Sequence, residues 1–328
     1  MNGRLENENK IEKSIDNKLK TLPDFAKPWH MNLKASQKTA STRLDYLRKL
    51  YRFLYYINPD VKSVTLDDIT EENVYEYYSS IQTTEKNGRV EYTSDSYKQT
   101  VWFFLDNFLE YEYKHNNIKM NYMSTIDKPK NKDLERINEN RILLTEKDFK
   151  NIIASTAAES DITLRTRDKA ILLLFMNTGM RRTALCNIML DDLNYINREL
   201  NVIDKGNKRH VYYLNEQTYE AISKWLKVRN KFDINNDSGH LFISERGNVI
   251  AGNTIYKIVS KYTELALGKK ISPHKLRSGY CSILYKKTGD IEFVRRAVGH
   301  ANATTTQRYI VTKGEEKRKA SEIMGNIF

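Results

Sequence analysis

Cysteine is scarce: the 328 residues hold two, Cys186 and Cys281. Neither has a partner at a spacing used by zinc sites, so both are expected to be reduced, buried thiols. Long apolar runs are missing as well. None approaches the roughly twenty residues that a membrane-spanning helix needs, and the N-terminus, MNGRLENENKIEKSIDNKLK, lacks the apolar core of a signal peptide. The expectation is a cytoplasmic protein with no membrane partner. Two catalytic signatures are also lacking. There is no G-x-x-x-x-G-K-[ST] loop to cradle nucleotide phosphates, and no carboxylate cluster suited to two-metal catalysis, Asp191-Asp192 being the nearest approach. No cofactor and no metal are therefore expected.

What is present is length and unevenly placed charge. A chain of 328 residues, 40% hydrophobic, exceeds one ordinary core and suggests two domains. Residues 1–140 carry 22 Lys+Arg and 22 Asp+Glu, which leaves 32 against 20 for residues 141–328 out of the totals of 54 and 42. The whole net charge of +12 thus lies in the C-terminal part. A basic surface suits a polyanion, because neutralising phosphates dominates nucleic-acid affinity.

Residues 1–22 are polar without a clear apolar stripe, which predicts a flexible N-terminal arm. From 23 to 126 the pattern turns helical: Leu44, Leu47, Leu50, Tyr51 and Leu54 recur at steps of three and four, as do Val101, Phe104, Leu105 and Phe108. Between Ser41 and Tyr56, Arg43, Arg48, Lys49 and Arg52 alternate with those apolar positions. Such a row lines DNA or forms an ordinary solvated face, and spacing alone leaves both open. Thr65–Thr70 reads as a turn before another helix to Tyr78, and Thr83–Asp95 as a loop. Residues 127–141 are almost wholly polar and hold a proline, as a linker does.

The second domain, 142–310, opens where Thr145 can cap a helix with Asp148 at the capping-box position. An apolar helix from Asp168 to Leu185 is interrupted at Thr178-Gly179. Glu199–Leu214 switches to a period of two around a Gly-Asn turn, the pattern of a hairpin. His240–Ser244 is expected to add a third strand, and Thr254–Leu267 and Lys275–Lys286 to be helices.

The densest chemistry lies in SPHKLRSGYCSILYKKTGDIEFVRRAVGHANATTTQRYI, Ser272–Ile310, which gathers His274, Arg277, His300 and Tyr309. A phenol, with a pKa of about 10, attacks a phosphodiester only with cations and hydrogen-bond donors around its target. Here they are close by in sequence. The order His274-Lys275-Leu276-Arg277, Gly299-His300, then Tyr309 nine residues after that histidine, resembles the C-terminal signature of the tyrosine recombinases, the phage integrase family in its Xer-like and mobile-element forms. Thr178-Gly179-Met180-Arg181 resembles that family's T-G-L-R motif, and Lys205 matches the lysine of its β-hairpin. At the family's usual acidic position, three residues after the motif arginine, this chain has Ala184.

The resemblance implies a mainly α fold with a small antiparallel β-sheet in the catalytic domain, the two domains clamping DNA, with 23–126 as a helical core-binding domain. It implies a 3'-phosphotyrosyl intermediate formed without ATP or metal: Tyr309 as nucleophile, Arg181 and Arg277 on the phosphate, His274 and His300 in hydrogen bonding and proton transfer, and Lys205 protonating the leaving oxygen. Arg182 and Lys208 join Arg43, Arg48, Lys49 and Arg52 as candidate DNA contacts. The implied partners are double-stranded DNA with paired sites and further copies of the chain, four on DNA in a nucleoid setting, with 311–328 as a tail for docking between protomers. Rival readings are a type IB topoisomerase and a DNA-binding relative without catalysis.

Overall fold

The computed structural model describes residues 2–86, 89–129, 144–204, 208–232 and 238–299. The chain divides into two compact units, 3–140 and 141–328.

The N-terminal unit is helical. Residues 2–19 are not an unstructured arm: they form helix α1 (Asn2–Leu19), followed by α2 (Ala26–Ala35), α3 (Ala40–Ile57), α4 (Glu71–Ser80) and α5 (Asp95–Lys114). Ile15, fully buried, and Leu22 enter the core of the unit, with Ile11 and Leu19 packed at its edge. That row, at steps of four, four and three, is the apolar stripe that holds so polar a helix in place. Truncating it as Ile15→Ala is expected to cost about 2–5 kcal/mol of unfolding free energy, read by urea denaturation. A loss near zero would mean that α1 does not dock.

Capping side chains start three of these helices. Thr39, Thr70 and Ser94 accept from the backbone N–H groups of Thr42, Asn73 and Tyr97 at the starts of α3, α4 and α5. Between α4 and α5, Thr83–Asp95 is not simply a loop. Strands β1 (Thr83–Lys86) and β2 (Arg89–Tyr92) pair antiparallel, Thr83 opposite Tyr92, and Asn87-Gly88 is the dipeptide that favours such hairpins. Trp29 centres the core, its ring edge-on to Phe108 at 5.1 Å and to Phe104 at 6.1 Å.

In the C-terminal unit, α6 (Glu146–Ser155) begins with the reciprocal Thr145–Asp148 capping box. Helix α7 (Ile162–Thr178) is apolar all round from Ala170 to Phe175, with Ile171, Leu172, Leu174 and Phe175 fully buried, because α6, α9 (Glu216–Val228) and α11 (Pro273–Thr288) pack around it. The short helix α8 (Arg182–Cys186), α10 (Gly252–Leu267) and α12 (Ile291–Ala297) complete the described helices. The sheet is antiparallel in the order β3 (Leu193–Asn194), β4 (Glu199–Asp204), β5 (Lys208–Tyr213). Residues 240–244 do not join it. Both edges of β4 are taken, and this segment makes only isolated bridges, Met189 with His240 and Ile243 with Val249. Cys186 and Cys281 are free and buried, and burial pushes each thiol up to about 11. Among the described residues no helix is long and apolar enough to cross a membrane.

Candidate active site

The site is built on two turns and one helix start. At the first turn, α7 ends at Gly179, whose φ of +57° is left-handed and whose N–H bonds back to Phe175 at 2.9 Å. The ring of Tyr280 lies against that glycine: a Cβ there would stand 2.4 Å from Cδ1, so nothing larger fits. Two residues on, Arg181 has extended backbone and stands just ahead of α8. Ala184, in the usual acidic position, is buried in the core.

Helix α11 supplies the other two groups. Ser272 caps it, its Oγ accepting from the Lys275 N–H, and Pro273 occupies the first turn. His274 and Arg277, three residues apart, share a face. Arg277 is 2% exposed. Its Nη1 donates to the Gly179 carbonyl and its Nη2 to the Val298 carbonyl at 2.9 Å. One planar guanidinium thus ties the turn before Arg181 to the turn before residue 300. The motif gave Arg277 a ligand to hold but not this clamp.

His274 is solvent-exposed at the helix start. Desolvation by the protein around its ring holds its pKa below the ordinary value, and Arg277, Lys275 and Arg181 add to the effect. Three cations are therefore near enough to disfavour a fourth, the electrostatic condition of an anion site. A group whose pKa falls on folding withdraws stability as pH drops from its unfolded value of about 6.5 toward the folded one. In the DNA-free protein, the NMR titration of His274 is expected to have a midpoint below 6.5, moving up in Arg181→Ala. A midpoint at or above the ordinary value would contradict the arrangement.

The structure thus brings together Arg181, His274 and Arg277. Lys205, His300 and Tyr309 lie outside the described residues. Lys208 opens β5 with its backbone opposite Asp204. Arg182 is exposed, its guanidinium lying against Gly252 at the start of α10, with Nη1 3.5 Å from the Gly252 carbonyl.

The candidate cations on α3 separate by helical phase. Arg48 and Arg52 are exposed. Arg43 is not available to an outside polyanion: it is 4% exposed, with Nη2 donating to Glu12 Oε1 at 2.5 Å, Nη1 2.8 Å from His30 Nε2 and Nε donating to the Lys38 carbonyl. It fastens α1 and α2 to α3. Lys49 is likewise buried, paired with Asp45 one turn back. One cation that the sequence did not single out lies beside them, half-buried. Lys18 of α1 stands 3.5 Å over the Tyr51 ring, and desolvation with Arg48 and Arg52 lowers its pKa.

Comparison with known proteins settles the family. The model of the phage integrase family matches residues 143–316, more than half of the chain. The chain belongs to the phage integrase family. Among its relatives, tyrosine recombinase XerC of Caldanaerobacter subterraneus subsp. tengcongensis is 38% identical over 182 residues, 55% of this chain and 50% of that protein. Tyrosine recombinase XerC of Shewanella sp. (strain ANA-3) is 34% identical over 163 residues, 49% of this chain and 54% of that one. The chain thus spans about half the length of these curated relatives. The fold is shared with XerH site-specific recombinase bound to palindromic difH substrate, a post-cleavage complex: TM-score 0.67 at 19% identity over 90% of this chain and 85% of that one. A mainly helical fold with a small antiparallel sheet is thus the fold of an integrase-family protein.

Proposed function

We propose that this chain is a site-specific DNA recombinase that breaks and rejoins strands through a 3'-phosphotyrosyl link on Tyr309. The observation that carries the reading is the Arg277 clamp: a buried guanidinium joins the Arg181 turn to the turn before His300, with His274 on the same helix face. Family membership and XerC relatives support the same assignment.

In this reading the Tyr309 hydroxyl oxygen attacks phosphorus as His274, whose pKa is lowered chiefly by desolvation, accepts or relays the proton. Charge that builds on the non-bridging oxygens is met by the planar N–H donors of Arg181 and Arg277 and by His300. The bond from phosphorus to the 5'-oxygen breaks, and Lys205 gives that oxygen its proton. Attack on the phosphotyrosine by another strand's 5'-hydroxyl then restores a phosphodiester, so the bond energy is conserved without ATP. Residues 142–310 form the catalytic domain and 23–126 the core-binding domain, to which α1 adds its own helix. Arg48, Arg52, Arg182 and Lys208 contact DNA phosphates, and Arg43 and Lys49 drop out of that set. The partners are double-stranded DNA with paired sites in the cytoplasm and other copies of the chain, four on DNA, with 311–328 docking between them.

A suicide substrate, nicked just beyond the cleavage position so that the short fragment carrying the freed 5'-hydroxyl is lost, tests the reading. The expected result is a covalent protein–DNA adduct, and strand exchange between two sites when intact DNA is supplied. Adduct without exchange would favour nicking and resealing of the topoisomerase kind. Binding without adduct would leave a DNA-binding protein.

A further inference from the structure

His210 belongs to none of the motifs that marked the site, yet it reaches one of the two turns. Along β5 the side chains alternate: Arg209, Val211 and Tyr213 are exposed, whereas His210 is half-buried and Tyr212 and Leu214 are buried. The His210 imidazole lies against the backbone of Gly299. A Cβ at 299 would fall 3.0 Å from its Nδ1 and 3.1 Å from its Cε1. The Tyr212 ring meets the imidazole edge-on at 4.3 Å between centroids, which fixes the plane of the ring. Gly299 itself has φ +65°, so the turn needs glycine both for its backbone and for the space that the imidazole fills.

The same turn is held from another direction by Arg277, through the Val298 carbonyl at 2.9 Å. Val298 and Gly299 are therefore gripped by a guanidinium on one carbonyl and an imidazole on the next α-carbon. These are the last two residues before His300. The strand that carries His210 follows Lys205 by three residues in sequence, with Lys208 opposite Asp204 in its register. A single ring on β5 thus meets the turn that ends one residue before a proposed catalytic histidine.

We propose that His210 is a positioning residue for strand cleavage. It seats the Val298–Gly299 turn so that His300 approaches the scissile phosphate at a fixed height relative to the Lys205 hairpin. The inference rests on the recombinase reading above. What matters in it is the ring that fills the space beside Gly299.

The test uses the full chain and the nicked suicide substrate at saturating protein, with site affinity and thermal unfolding measured on each variant. His210→Ala is expected to slow single-turnover adduct formation by up to about 100-fold, the scale of a misplacement near 1 Å, with site affinity unchanged. His210→Phe, which restores a ring, is expected to recover most of the rate. Gly299→Ala should be slow by itself, and adding His210→Ala to it should cost less than His210→Ala costs the parent, because the new methyl occupies the vacated space. The proposal is overturned if His210→Ala cleaves at the parent rate, if His210→Phe is as slow as His210→Ala, or if the two single losses multiply in the double variant. A parent protein that forms no adduct would instead refute the recombinase reading.

Discussion

Tyr309→Phe is expected to bind its DNA site as tightly as the parent and to form no covalent adduct. The substitution removes one oxygen and leaves the ring, so the contacts that place the segment are kept while the atom that bonds to phosphorus is gone. Affinity should persist because it is spread over many phosphate contacts, each contributing to the salt dependence of binding. The expected loss is complete, since none of the other proposed residues offers a nucleophile at that position. A gel that resolves covalent from non-covalent complexes on the suicide substrate reads the result directly. Adduct of undiminished yield in Tyr309→Phe would remove Tyr309 from the chemistry and send the search to another of the 21 tyrosines.

Much of the C-terminal unit was legible because its signals are local. The Thr145–Asp148 box, the glycine break after Thr178 and the period-two text around 199–214 each act within a few residues and form as read, whereas the helix read from Lys275 begins two residues earlier, at Pro273 behind its Ser272 cap. Contacts between distant segments were not legible. Arg277 meets the Gly179 carbonyl across 98 residues and the Val298 carbonyl across 21, and no spacing rule gives a guanidinium two carbonyls as partners. His210 was hidden for the same reason, although its inward phase on β5 could be counted from Tyr212.

The N-terminal unit shows the opposite error, signals present but outweighed. Ile11, Ile15 and Leu19 form a stripe in α1 that Leu22 continues just past its end, yet the surrounding Glu, Lys and Asn residues masked it. On α3, Arg43 sits four residues before Leu47 and seven before Leu50, in the middle of the buried row, whereas Arg48 and Arg52, one turn apart, lie across the helix from it. Phase alone separated them. That a buried arginine would find Glu12 and His30 waiting required the fold. The His30 ring, its pKa lowered chiefly by burial and then by Arg43, completes that fastening.

Arg277→Ala should have the second-largest effect, and of two separable kinds. As a phosphate donor, Arg277 is lost from the transition state at a cost of about 2.7–4 kcal/mol, or 10²- to 10³-fold in single-turnover rate. As a clamp, it leaves the Gly179 and Val298 carbonyls without their donor, and a buried acceptor left unsatisfied costs about 1–3 kcal/mol. The unfolding midpoint should therefore fall as well, while site affinity of the folded protein changes little. Arg277→Lys separates the two kinds. An ammonium keeps the charge but is a point donor rather than a planar fork, and cannot reproduce the paired geometry that spans two turns. It should recover part of the rate and little of the stability. Urea unfolding, adduct kinetics at saturating protein and a binding isotherm on each variant decide the matter. A parent-like midpoint in Arg277→Ala would show that the two carbonyl bonds do not hold the turns, and parent-like cleavage at saturation would show that the guanidinium does not act on the phosphate.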